Sequence, residues 1–222
     1  MTRKERSEAF LQTHNIKINP NLPDLGKTVI KPPEVLLRRA LTALLAAQVA
    51  IDAANDHFPA ASALFFRNIL QRFGLEQDLT PDEAKLFALA DPQAPEVSQQ
   101  DAVQITWRIE MCMPLFWACG LIDGELQYPD TAADCSELIG KINGCADFDA
   151  LMQLVSMRPE DEILDQADLT YRMDWACVDA LIKNEPIGGG LSHDVVAERH
   201  KGFNWMISAY AAENWDDVRA NT

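Results

Sequence analysis

Three short stretches hold most of the residues able to do chemistry in this chain of 222 residues. The first runs from Trp107 and Arg108 through Glu110 to Trp117. At about 100° per residue, Trp107, Glu110, Pro114 and Trp117 share one helical stripe, which places a carboxylate among aromatic and apolar side chains. Pro114 removes a backbone donor and is expected to kink that helix beside Glu110. The second stretch holds Asp165, Asp168, Tyr171, Arg172, Trp175 and Asp179. Their spacing puts Asp165, Asp168, Arg172 and Asp179 on one helix face, beside an apolar stripe of Leu164, Tyr171, Trp175, Val178 and Ile182. The third is Glu198-Arg199-His200 followed by Asn204 and Trp205. His200 and Asn204 lie one helical turn apart and can share a site.

Carboxylates, arginines and a histidine in such surroundings permit acid/base chemistry with shifted pKa values, or the anchoring of a ligand. A hydrolase would use Glu198 and His200 with Glu110 or Asp165, and Arg172 as an anion anchor. A small-molecule sensor would line a pocket with Trp107, Trp117, Trp175 and Trp205. The third possibility is structural. Nine basic residues lie beyond residue 72, and Arg108, Arg172 and Arg199 fall inside these stretches. Such arginines would pair with Glu110, Asp165, Asp168 or Glu198 and fix how helices dock. Breaking one member of a buried pair costs about 3–5 kcal/mol, so an ion-pair network is a sufficient reason for these residues. That structural reading leads, because ion-pair networks also perturb pKa values.

Other chemistries find less support. His193 and His200 are two turns apart with Glu198 between them, which is not the HExxH zinc pattern, so no metal is expected. A hydrogen-bonded core histidine is the simpler role for His200. There is no GxSxG motif, and no cysteine adjoins a histidine in sequence. Gly188–Gly190 lack the preceding strand and the lysine of a phosphate loop, so no nucleotide or other cofactor is expected.

Charge narrows the partners. The net charge is −15, and it is uneven: residues 1–72 carry 10 basic and 6 acidic side chains, the remainder 9 and 28. An acidic body repels phosphate backbones and anionic lipid, so neither nucleic acid nor a membrane surface is expected; the acidity reads first as solubility, and second as a field that would steer a basic protein partner. The five cysteines include no CxxC pair, and an odd number cannot close a complete disulfide set, so reduced thiols and a cytoplasmic setting are expected. The N-terminal residues lack a signal peptide's apolar stretch. The apolar run from Val35 to Ala54 is interrupted by Arg38, Arg39, Gln48 and Asp52, which marks a core helix and not a membrane span.

The elements that must position these residues read as helices throughout. Residues 1–32 form an arm, with a short helical piece over Ser7–His14 and a break at Ile18–Pro23. Pro32-Pro33 opens a long helix to about residue 56, and a second follows to Arg72 and Gly74. Thr80, Pro81 and Glu83 form a capping box. A long helix is predicted over 99–122, another from Tyr128–Thr131 to Asn143-Gly144, and a short one over Phe148–Val155. Strong helices are predicted over 159–183 and 193–212, and Trp215 is expected to dock the tail. No strand pattern and no repeat is evident. The expectation is an all-α single domain of about eight helices over 33–222, with an extended N-terminal arm packing on it.

The same stretches resemble the DUF4272 family. The resemblance is carried by Arg6-Ser7 and Ile16–Pro23, by Trp107-Arg108-x-Glu110 with Leu115–Gly120, by Glu162–Asp165 through Asp168-Leu169-x-Tyr171-Arg172-x-x-Trp175 to Asp179, by Val195–His200 with Asn204-Trp205, and by Trp215–Val218. Lys201 stands where the family has an aromatic residue, Gly202 follows it, and Asn221 stands where it tends to have Asp. The resemblance implies a soluble bacterial helical domain and brings no activity, cofactor or catalytic residue. Function is therefore expected to be that of a non-enzymatic cytoplasmic binding protein with an acidic surface, with the hydrolase and the sensor as alternatives.

Overall fold

The computed structural model describes residues 1–26, 28–207 and 214–221. The described residues are helical and contain no strand, so the expected all-α class is what the chain adopts. At its centre lies α2 (Pro33–Ala54), begun by Pro32 and Pro33, whose fixed φ suits a first turn. Leu36, Leu37, Leu41, Leu44 and the alanines between them are buried. A Leu/Ala helix can be surrounded this way, because small side chains let neighbours approach from several sides. Around it pack α3 (Pro59–Phe73), α4 (Pro81–Ala88), α5 (Gln99–Thr106) and α6 (Arg108–Ala118). Gly74 ends α3 with φ +64°, a left-handed cap that glycine adopts without strain. The capping box of α4 forms: Thr80 Oγ1 accepts the Glu83 N–H at 3.3 Å, and the Glu83 carboxylate accepts the Thr80 N–H at 3.0 Å.

The short helices α7 (Ser136–Asn143) and α8 (Phe148–Met152) lead to α9 (Glu160–Lys183) and α10 (His193–Ile207). α10 lies across both α6 and α9. Its approach to α6 is backbone-close: a Cβ added at Gly202 would sit 2.1 Å from the Met111 carbonyl oxygen and 3.3 Å from Pro114 Cγ. The N-terminal helix α1 (Arg3–Thr13) packs on α9. Leu11 and Ile16 of the arm share a buried apolar cluster with Met173, Cys177 and Val196. Lys31 N–H then bonds the Met206 carbonyl at 3.0 Å, so the arm is tied down at both ends.

Three expectations need correction. The single helix predicted over 99–122 is broken at Trp107, which adds a helix to the expected set. On either side of the break, α5 and α6 each lie against α2. Tyr128–Thr131 opens no helix. Pro129 is buried in a loop, its carbonyl accepting the Ser192 N–H at 2.8 Å, and α7 begins only at Ser136, whose N–H is held by Asp134. The short helical piece expected over Ser7–His14 is longer and begins earlier, as the 11-residue α1. The last turns predicted for the final helix, 208–212, lie outside the described residues. Trp215 is buried, edge-on to Trp205 with ring centroids 5.2 Å apart. No helix of the described residues is long and apolar enough to cross a membrane.

Candidate functional site

The sequence candidates separate into distinct polar groups, each set by the helices that carry it. Between α6 and α10, the buried Glu110 carboxylate accepts Arg199 Nε at 2.9 Å and the Ala133 N–H at 2.6 Å. Arg199 also donates through Nη1 to the Gln127 carbonyl, while its buried Nη2 has no partner. One residue on, His200 faces the other way and bonds Asp174 of α9, Nδ1 to Oδ2, at 2.9 Å. Consecutive α10 residues thus grip α6 and α9, as the roughly 100° step between them requires.

Between the arm and α9, Asp168 and Arg172 form a buried pair one turn apart, with Arg172 Nε 2.8 Å from Asp168 Oδ2. The Ser7 hydroxyl donates to the same oxygen at 2.6 Å, and Arg172 Nη2 donates to the Pro23 carbonyl at 3.2 Å. Asp165, at the surface, takes Arg3 and Arg6 of α1; that carboxylate hydrogen bond raises the Arg6 pKa. Asp179 sits at the far end of the same face, where Lys17 and then Lys183 hold its carboxyl below the usual range. Tyr171 is half-buried beside the His200 ring, and burial raises its phenol.

The third group joins α2, α4, α6 and the C-terminal segment. Arg39 and Arg108 both bond the fully buried Glu83, at 2.5 and 3.0 Å. Arg108 continues to Asp216 at 2.6 Å. Arg39 lies over the Trp215 ring, 5.2 Å from its centroid.

Several expectations are redirected by this geometry. His200 takes Asp174 and not Glu198, whose carboxylate holds Lys201 at 2.5 Å. Asn204 shares no site with His200; it is drawn to the chain end, donating to the Arg219 carbonyl at 3.0 Å. Arg108 pairs with Glu83 and Asp216, neither among the expected partners, because the break at Trp107 turns it toward α4. The arrangement supposed for a hydrolase, with Glu198, His200 and Glu110 together, is replaced by three carboxylate groups on three sides of α6 and α10. The four tryptophans do not line one pocket. Trp107 stands half-buried at the helix break, Trp117 is buried beneath Arg158, Trp175 packs beside the arm's apolar cluster, and Trp205 meets Trp215 edge to face.

Asp174, Glu83, Arg39 and Ser7 are not among the candidate site residues of the sequence, although Glu83 is marked by its capping box, Ser7 by the family resemblance and Arg39 as a break in the apolar run. Glu83 carried a signal, since a capping-box acid fixed at a helix start can also receive a cation. Asp174 carried one as well, an acid flanked by Met173 and Trp175 beside the buried Ala176 and Cys177.

Beside the third group, a cleft of about 540 Å³ opens between α4, the 95–97 linker, α5, α6, α10 and the C-terminal segment. Carboxylates and bases line it together, and each base is already engaged: Lys85 with Asp82, Arg108 with Asp216, and Lys201 with Glu198. Glu96 and Asp101 remain as surplus negative charge at the rim. Burial raises the Glu198 carboxyl above its ordinary value, against the opposing pull of Lys201. Trp215 walls the same cleft, and its buried indole N–H has no acceptor. Among the described residues, no group of His, Cys, Asp and Glu is arranged to hold a metal ion.

An all-α domain pinned by buried carboxylate–arginine and carboxylate–histidine pairs, with an acidic cleft beside them, is the class that fold and site define. The chain belongs to the DUF4272 family, a domain of unknown function whose model matches residues 3–218. No curated protein and no solved structure matches it.

Proposed function

We propose that this protein is a non-enzymatic cytoplasmic binding protein whose cleft receives a cationic side chain, and the adjoining peptide carbonyl, from a basic protein partner. The observation that carries the reading is the charge state of the cleft: its bases are spent on Asp82, Asp216 and Glu198, while Glu96 and Asp101 stay unmatched. Surplus carboxylates in a concave, partly apolar wall concentrate the field and speed the encounter with a cation. The unfilled Trp215 N–H supplies a donor for a backbone carbonyl, which a peptide brings with its cationic side chain. Binding suits the buried groups better than hydrolysis does, since each is committed to a partner on another helix: Glu110 to Arg199, Asp168 to Ser7 of α1, and His200 to Asp174. Five buried, free thiols suit the cytoplasm.

The test is titration with a lysine-rich decapeptide, followed by calorimetry and tryptophan fluorescence at two salt concentrations. The expected result is salt-dependent binding that weakens about tenfold in a Glu96→Gln/Asp101→Asn variant, a loss of roughly 1.4 kcal/mol. Binding that ignores both substitutions, or equal binding of a glutamate-rich decapeptide, would overturn the reading.

A further inference from the structure

We infer that a second cleft, on the opposite face of α10, binds a small flat-ring molecule that carries an acceptor oxygen. This cleft encloses about 360 Å³, within the range of small-molecule sites. The arm forms one wall. Phe10 and His14 stack with centroids 3.9 Å apart and planes at 16°, and His14 continues onto Tyr128 at 5.5 Å and 23°. Near-parallel rings of this kind extend readily by one more flat ring, because offset stacking favours it. Leu169 and Met173 of α9 supply an apolar opposite wall.

Arg199 supplies the polar end. Its Nε is held by Glu110 and its Nη1 by the Gln127 carbonyl, so the guanidinium is fixed in place and its charge is matched. Its Nη2 is buried without a partner. A buried donor left unpaired is costly, and a hydrogen bond to a charged donor is stronger than a neutral one. A ring bearing a carbonyl or carboxylate oxygen would use the donor and the stack together. Two of the three stacked rings, Phe10 of α1 and His14 just after it, belong to the arm, so occupancy would also fasten the arm to the body. Arg199 borders a smaller cavity of about 90 Å³ as well, and a water there would be the rival partner for the same N–H.

The probes are indole-3-carboxamide, indole-3-carboxylate and indole, read by thermal shift and by NMR of the arginine side chains and of His14. The expected result is binding of at least one oxygen-bearing probe about tenfold more tightly than indole, with a shift at Arg199 Nη. His14→Ala should weaken that probe about tenfold, and Arg199→Lys should erase the preference over indole. Should Arg199→Lys fail to fold, the His14→Ala variant together with the Nη shift decides. The inference is overturned if no probe binds at about 1 mM. Equal binding of indole, or unchanged affinity in His14→Ala, would assign the spare N–H to solvent in the smaller cavity and overturn it too. The cleft tested here is separate from the acidic one, so either proposal can fail alone.

Discussion

Replacing Glu110 by alanine is the sharpest test of what the buried charges do. The carboxylate is about 1% exposed and uses both oxygens, one on Arg199 and one on the Ala133 N–H. Its removal leaves the guanidinium buried, with Nε joining Nη2 as an unpaired donor. A stranded partner of this kind costs about 3–5 kcal/mol. In a domain of this size each kcal/mol moves Tm by roughly 2–4 °C, so the melting temperature should fall by about 6–20 °C. Urea unfolding followed by tryptophan fluorescence would read the same loss as a lower midpoint with an unchanged slope. The companion is Glu110→Leu/Arg199→Met, which removes both charges and leaves the Ala133 N–H and the part-buried Gln127 carbonyl without their partners. It should recover to within about 1–3 kcal/mol of the parent and exceed both single variants. If Glu110→Ala cost less than about 1 kcal/mol, or if the double variant were no more stable than Glu110→Ala, the pair would not be coupled and its docking role would be refuted.

Four further outcomes follow from particular contacts. Gly202→Ala should destabilise by about 1–3 kcal/mol in urea unfolding, because its Cβ meets the Met111 carbonyl and forces α10 off α6. Ser7→Ala removes a hydrogen bond to the Asp168 carboxylate worth about 1.5–3 kcal/mol; amide exchange over α1 and 14–23 should accelerate while that of α2 holds steady. Burial raises the Glu198 carboxyl, so the folded chain holds that proton more tightly than the unfolded one, and its share of stability falls as pH rises above the unfolded value of about 4.3. Glu198→Gln should therefore gain on the parent between pH 4 and 7, and a pH-independent difference would contradict the cause. Burial pushes Cys119 and Cys177 up to about 12 and Cys135 to about 11; labelling by a disulfide reagent at about pH 8 should keep pace with global unfolding, and faster labelling would contradict it.

Local signals made much of this fold readable. Pro33, the Thr80–Glu83 box and Gly74 act within one turn of themselves, and each start or stop they imply is present. The breaks that matter most are not local. Trp107 has helical backbone angles, φ −66° and ψ −14°, and no glycine or proline marks the interruption. The chain turns there because α5 and α6 both gain by lying on α2, a tertiary gain that a periodic pattern cannot show. Tyr128-Pro129-Asp130-Thr131 has the composition of a helix start, yet Pro129 is held in a loop by Ser192, 63 positions away along the chain.

The candidate site divides along the same line. Helix geometry put Asp168 beside Arg172, since residues four apart meet on one helix. It could not pair residues across helices, and so His200 was matched with Glu198 when its carboxylate is Asp174. Arg199 and His200 make the point in small. Adjacent residues on α10 face different neighbours, one drawing in α6 and the other α9, while Gly202 removes the side chain that would hold α6 away. A hydrophobic stripe alone tolerates a helix sliding or turning by several degrees, because dispersion contacts are non-directional. A guanidinium fixed on one side and an imidazole on the other do not, since each requires its hydrogen-bond geometry. Glu110, Arg199 and His200, which look catalytic in the sequence, are therefore held in contacts that fix one orientation of α10. That orientation is what sets Glu198 and Lys201 toward one cleft and the spare N–H of Arg199 beside the other.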